Sequence, residues 1–419
     1  MNTSTSIHPS ALADYRRHAA PSVLQELELV VGSATGATVH TADGRSLIDF
    51  ASGGFGFGEP RVRAEVSKQV RKAPLSSRIL VNRRLAELVM QLAEIAPSPL
   101  SVSYVCNSGE EALDSALKLA KGRWPQRRNV VVGEGGDYGS LSHGVHFAGI
   151  GSQFLAGLPF QPRRVRMGDT DAMLDAVTTD TAAVLLEPLS LASGDLSATP
   201  EFWRALRERC TATGAVLIIS ELRTGLGMAG SWWATDATGI APDVLVTGGA
   251  LDGGHVPVGA YITSQALNDQ VYARRNPSLH GSTTGGNPVC CAAALAALQV
   301  IRDGRLAQRH AEFGARTAMA LETLADEQPA SGIVRVQCVG SLVALDYQDA
   351  ARAAQARHAA VRAGVWLRPP QGNRLLLQVP LIASPTEWML GAERLLAAWD
   401  TRRCTHATVQ TDNQEEVAG

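Results

Sequence analysis

Residues 101–124, SVSYVCNSGEEALDSALKLAKGRW, decide the fold. The opening SVSYVC is a short uncharged run of strand-forming residues, and NSG turns the chain into a second pattern. From Gly109 the apolar residues Ala112, Leu113, Ala116, Leu117, Leu119 and Ala120 recur at the spacing of one helix face. Strand, tight turn and helix therefore follow one another within two dozen residues. The alternation continues outward through strands in RNVVVGEG (128–135) and AAVLLEPL (182–189) and a helix in PEFWRALRERCTATG (200–214). Further strands lie in AVLIISEL (215–222) and DVLVTGG (243–249). Strands that are apolar throughout cannot show one face to water, so this pattern predicts an α/β fold with a mostly parallel sheet flanked by helices.

On the N-terminal side, TGATVHTADGRSLIDFA (35–51) alternates apolar and polar residues around Asp43-Gly44, a hairpin signal. PRVRAEVSKQVRKA (60–73) and NRRLAELVMQLAEIAP (82–97) carry helical periodicity. On the C-terminal side, HGSTTGGNPVCCAAALAALQV enters an Ala-rich helix, and from about residue 305 helices and strands mix in a smaller α+β pattern. The predicted organisation is a large α/β domain at 61–304 and a small α+β domain at 305–400. Residues 1–60 belong with the small domain, and the polar, aperiodic tail 401–419 is expected to be disordered.

A chain of 419 residues exceeds one simple core, which agrees with two domains. A hydrophobic share of 45%, a charged share of 19% and a net charge of −2 give no electrostatic reason to expect nucleic acid or a membrane surface. The expected partner is a small-molecule substrate. The six cysteines show no CxxC or CxxH spacing, so free thiols in a reducing compartment and no metal are expected. The N-terminal residues lack the apolar core of a signal peptide and no run of about 18 apolar residues occurs, which predicts a cytoplasmic location. Lysine occurs four times, at 68, 72, 118 and 121, against 34 arginines, so none follows residue 121.

Five segments in order resemble the class III aminotransferases, within the fold type I pyridoxal-phosphate (PLP) enzymes. They are NSGEEALDSALKLAKG (107–122), LLEP (185–188), LIISELRTGLGMAG (217–230), PDVLVTGGALDGGHVPVGA (242–260) and HGSTTGGNPVCCAAALAAL (280–298). The resemblance implies a homodimer with its cleft at the interface. It also implies cofactor positions at Ser108, Gly109, Glu110, Ser220, Gly249 and Thr283.

The family's chemistry needs a lysine for the Schiff base and an aspartate that holds the pyridinium nitrogen protonated. At those positions this chain has Gly249 and Ser220, twenty-nine residues apart with the family spacing intact. A glycine offers no nucleophile and a serine no charge. The family's carboxylate-gripping arginine and the glutamate facing it fall on Leu376 and Ala192, a joint loss that suggests a remodelled pocket. Glu110 adds a carboxylate at the expected phosphate cup, where it either opposes an anion or serves the first helical turn from the solvent side. In GEGGDYGSLSHG (133–144) the stacking aromatic falls on Asp137, with Tyr138 beside it and a one-residue shift able to exchange them. Thr283 resembles a residue that reaches the neighbouring subunit's phosphate, or it caps a helix.

The candidate acid–base groups are Glu187, Glu221, His255, Tyr138 and Asp137. For His255 the alternative is a surface turn histidine. For the two glutamates it is a brace at the sheet ends. An ordinary transaminase is disfavoured. The expected function is PLP-independent acid–base chemistry in the former cofactor cleft: cyclisation, dehydration, isomerisation or condensation of a small metabolite. One alternative is a non-catalytic subunit paired with a lysine-bearing homologue. Another is a transaminase-like enzyme holding PLP or its aminated form non-covalently. No cofactor is expected on the first reading.

Overall fold

The computed structural model describes residues 10–20, 29–75, 80–150, 155, 157–192, 196–273, 280–400 and 402. Of the expected disordered tail, all but Arg402 lies outside them. Near the N-terminus run β1 (Val31–Thr35), β2 (Thr38–Thr41) and β3 (Ser46–Asp49). The next strands are β4 (Val102–Cys106), β5 (Asn129–Gly133), β6 (Gln161–Val165), β7 (Thr181–Leu186), β8 (Val216–Ser220), β9 (Val244–Thr247) and β10 (Gly259–Thr263). The last are β11 (Ile333–Val339), β12 (Leu342–Tyr347), β13 (Val365–Trp366) and β14 (Arg374–Gln378).

The central sheet has the order β4-β10-β9-β8-β7-β5-β6 and is parallel except at β10, which runs antiparallel to both β4 and β9. Its strands read as unbroken apolar runs because both faces are covered. Successive side chains point to opposite sides of a strand, and the packing follows that period. Val130, Val132, Ala183, Leu185 and Ile218 pack with Ala112, Leu113, Ala116 and Leu117 of the helix Gly109–Arg123. Val131, Val184, Leu186, Leu217 and Ile219 pack on the other side with Phe202, Trp203 and Leu206 of the helix Pro200–Thr213. The chain is thus α/β with a mostly parallel, helix-flanked sheet.

Two elements escaped the sequence patterns. β6, QPRRV, is an edge strand whose proline and two arginines hide its strand character, and such residues suit a sheet edge because they discourage further pairing. β10 reverses direction after the Gly253-Gly254 turn. The Ala-rich segment from residue 288 is two helices, Pro288–Asp303 and Leu306–Glu327, separated where Gly304 caps the first and Arg305 turns with φ +46°. No helix among the described residues is long and apolar enough to cross a membrane.

The smaller sheets are β1-β2-β3-β13 and β11-β12-β14. With the helices Leu306–Glu327, Ala350–Arg362 and Pro385–Trp399 they surround a core that includes Phe50, Leu345, Leu377, Trp388 and Leu395. The Asp43-Gly44 turn joins β2 and β3, and β3 pairs in parallel with β13, so the N-terminal segment is knitted to residue 365 and beyond. This assembly leans over the carboxyl ends of the central strands. Arg223, just past β8, donates to Gln378 Oε1, and Ser341 N donates to Met228 O at 2.9 Å.

The helix Gly109–Arg123 starts at Ser108, whose Oγ accepts from Glu111 N at 3.1 Å. Ser108→Ala removes this cap and is expected to lower stability by about 1 kcal/mol, read from denaturant unfolding. An unchanged midpoint would mean that the cap contributes nothing here.

Candidate functional site

Every parallel strand delivers its last residue to the same edge, where open α/β sheets bind ligands. Cys106 leads into Asn107-Ser108, Gly133 into the 134–139 loop, Leu186 into Glu187, Ser220 into Glu221 and Thr247 into Gly248-Gly249. The loop at Gly53-Gly54 closes the edge from above, with Gly54 against the Gly249 backbone.

Gly249 has φ +42°, and a Cβ built on it would collide with the Leu222 carbonyl oxygen. The position is therefore closed to any side chain in this backbone. Gly248 lies against Gly109, 2.9 Å from where its Cβ would point to the Gly109 Cα, and Leu222 Cδ2 packs onto both glycines. Leu222 thus lays hydrocarbon over the first residue of the helix at Gly109. Glu110 leans on Gly139, in the loop that carries Asp137. Thr283 is exposed.

The four lysines stand elsewhere. Lys68 lies 3.4 Å from Glu65, and Lys72 is exposed near the end of its helix. Lys118 lies 2.9 Å from Asp114, and Lys121 donates to Arg127 O at 2.9 Å.

The acids divide into two kinds. Glu221 is saturated: its carboxylate accepts from Thr235 N at 2.7 Å, from Thr235 Oγ1 at 2.6 Å and from Thr224 Oγ1. Burial raises its pKa while these donors oppose the rise. This geometry is a brace between the strand end and the 224–235 loop. Glu221→Gln replaces one acceptor by an NH₂ facing donors and should cost about 2 kcal/mol in thermal unfolding; a shift of only a few tenths would rule the brace out.

Glu187 is buried with one hydrogen bond among the described residues, Asp137 N donating to Oε2 at 3.2 Å. Burial pushes its pKa up to about 7, against the pull of Arg223 and with a further push from Asp137. A carboxyl poised near neutrality at the mouth of the parallel strands can give or take a proton.

The remaining candidates separate from this pair. Tyr138 is buried, with its hydroxyl donating to Gly133 O at 2.9 Å and its ring against Phe147, so it packs into the sheet core while Asp137 stays half exposed. His255 Nδ1 lies 2.7 Å from Gly253 O, and Asp252 accepts from Gly254 N at 2.7 Å, so both fasten the 252–255 turn. Ser220 is buried, and its Oγ has no hydrogen-bond partner among the described residues. Ala192 touches Gly135, and Leu376 packs with the cluster that contains Leu189 and Leu191. Two residues before Leu376, the buried Arg374 is held by Asp346 at 2.6 and 2.9 Å and reaches Ser190 O at 3.3 Å. That arginine is engaged within the fold.

Sequence patterns passed over two features. Leu222 looks like an ordinary residue after a strand, yet it seals the floor at Gly109 and Gly248. Arg368, in the extended VWLRPP segment, donates from Nε to Ala51 O at 2.9 Å. Desolvation and then the charge of Arg223 lower its pKa. Arg223 reaches Gln378 Oε1 and approaches Asp137 at 3.8 Å. The signal available beforehand was that the residue before a proline is held extended, which fixes the direction of Arg368.

Known proteins agree with this architecture. The chain superposes on ornithine aminotransferase from Toxoplasma gondii ME49 with a TM-score of 0.83 and 25% identity, covering 92% of this chain and 93% of that one. It is also similar to acetylornithine aminotransferase from Elizabethkingia anophelis, with a TM-score of 0.77, 24% identity, and 92% and 97% of the two chains covered. An amine transaminase from an uncultivated Pseudomonas species, solved in its PLP-bound internal aldimine form, gives a TM-score of 0.80 at 24% identity over 92% and 98%. The model of the family "Aminotransferase class-III" matches residues 19–398, and the chain belongs to that family.

Proposed function

We propose that this chain performs PLP-independent acid–base chemistry on a small metabolite in the cleft at the strand ends. The observation that carries the reading is Gly249, which has no amine and no room for a Cβ beside the Leu222 carbonyl. The surrounding residues do not fit PLP in the family's manner. Ser220 supplies no charge for a pyridinium, since a buried hydroxyl cannot stand in for a carboxylate. Leu222 covers the helix start at Gly109 with hydrocarbon, and Glu110 adds negative charge nearby. All four lysines of the sequence are accounted for outside the cleft. The group that can do work is Glu187, buried beside Asp137 and Arg223 and titrating near neutrality. Proton transfer from such a group contributes roughly 10²- to 10⁴-fold in rate, which suits cyclisation, dehydration, isomerisation or condensation.

The chain works on this reading as a homodimer. Val70, Leu75, Leu80, Val81 and Met90 expose apolar side chains around the first two helices after β3, a surface suited to a second copy. Native mass spectrometry of the purified protein tests both parts. A homodimer mass without a retained cofactor is expected. A mass increment for PLP would overturn the cofactor-free reading, and a monomer that assembles only with a lysine-bearing homologue would favour a subunit role instead.

A further inference from the structure

Positive charge at this cleft is poorly compensated. Among the described residues the Arg223 side chain, 15% exposed, makes one hydrogen bond, to Gln378, and its Nε is buried without a partner; Asp137 pairs with it as an ion at 3.8 Å, beyond hydrogen-bond reach. Arg368 Nε donates to Ala51 O, and the residues on either side of Ala51 bond the Gln378 backbone, through Gly53 N to Gln378 O and Gln378 N to Phe50 O, so Arg368 stands on the wall that Gln378 shares with Arg223. The neighbouring acids Asp137 and Asp49 offset these charges only in part. Asp49 spends its carboxylate on Ala51 N at 2.8 Å, Ser52 N at 2.9 Å and Ser52 Oγ. Glu187 is held toward its neutral form by burial. Asp137 is half exposed and screened by water.

A partly buried guanidinium with an idle N–H is costly unless an acceptor completes it. Two guanidinium groups on one wall suit a planar or tetrahedral oxyanion, because each presents parallel N–H donors. The helix start at Gly109, the usual place for an anion in such a fold, is overlaid by Leu222 and flanked by Glu110. The charge balance has thus moved to the opposite wall, from the strand ends to the segment that carries Arg368.

We propose that Arg223 and Arg368 form a clamp for an oxyanion of the substrate, a carboxylate or a phosphoryl group, holding it beside Glu187. The inference rests on the reading that the cleft takes a small metabolite in place of a cofactor, and it names that metabolite's class: an acid, anchored by its anion with the reacting carbon turned toward Glu187. Gln378 is a positioning residue that orients Arg223 through its side-chain oxygen.

The test is calorimetric titration of the full-length protein at low ionic strength with sodium malonate and, separately, inorganic phosphate. Saturable binding of at least one probe is expected, weakened tenfold or more by Arg223→Gln and by Arg368→Gln. Arg223→Lys should keep part of the affinity, since it retains the charge and loses the fork. Tighter malonate binding assigns a carboxylate and tighter phosphate binding a phosphoryl group. Should Arg223→Gln fail to fold, as judged by circular dichroism, Arg368→Gln at the open side of the cleft decides the matter. No saturable binding by the parent protein, or glutamine variants that both bind as tightly as the parent, overturns the clamp. A parallel titration with PLP keeps the two ideas apart. PLP uptake that leaves arginine-dependent malonate binding intact removes the cofactor-free reading but not the clamp. Probe binding indifferent to both arginines removes the clamp alone.

Discussion

Replacing Gly249 by lysine will destabilise the protein by about 2–6 kcal/mol and will not create a PLP aldimine. Two terms set the size. A non-glycine residue held at φ +42° carries backbone strain on the order of 1–3 kcal/mol. A Cβ there also meets the Leu222 carbonyl oxygen, and relieving such an overlap by moving packed backbone costs a further ~1–3 kcal/mol. Gly249→Ala should show nearly the whole loss, since the first side-chain carbon causes it and not the amine. Denaturant midpoints of the two variants test this directly. If Gly249→Lys unfolded like the parent protein and gained a visible aldimine band with added PLP, the position would be a simple deletion of function in an otherwise intact cofactor site.

Glu187→Gln will change the pH dependence of stability more than its level at acid pH. In the folded protein burial pushes the Glu187 carboxyl up to about 7, from an ordinary 4.5 in the unfolded chain. Below pH 4.5 both states hold the proton and the group makes no differential contribution. Between about pH 4.5 and 7 the unfolded chain gives up a proton that the folded protein keeps, so stability falls as pH rises. At about 1.4 kcal/mol per unit the loss approaches 3 kcal/mol by pH 8. Glutamine has no such titration. The stability difference between Glu187→Gln and the parent should therefore move in favour of the variant by about 3 kcal/mol from pH 4 to pH 8. The buried Glu221 and Asp49 and the partly buried Asp252 are also pushed up by desolvation, but they are present in both proteins and cancel in the difference. Parallel stability curves would mean that Glu187 is ionised in the fold and is no proton donor near neutrality.

The central sheet was legible because its signal is local. VLIIS and VLVT are apolar without alternation, and GEEALDSALKLAKG repeats at helical spacing, so the parallel, two-sided architecture followed from segments of about five to fifteen residues. β6 was not legible, because a charged, proline-bearing edge strand has no apolar run, and its pairing with β5 is set by the neighbouring strand. At the cleft, Gly249 and Ser220 could be singled out by their positions in a familiar frame. The seal made by Leu222 could not, since it depends on contact with Gly109, more than a hundred residues earlier, and with Gly248. The wall that Arg368 and Arg223 share through Ala51, Gly53 and Gln378 likewise arises only when the C-terminal strands fold back over the sheet edge. Glu221 shows the same limit in reverse. An acid beside a strand end suggests chemistry, whereas Thr224 and Thr235 consume both of its oxygens.

Gly249, Ser220, Leu222 and Glu187 support one reading, in which the aminotransferase frame is kept and the cofactor's place is given to the substrate. Equilibrium dialysis of the purified homogeneous protein against PLP tests that claim most directly. A cleft without an amine, without a charge for the ring nitrogen and with its anion cup overlaid should bind PLP no more tightly than about 1 mM, roughly −4 kcal/mol. Saturable uptake of one PLP per chain at micromolar concentration would contradict it.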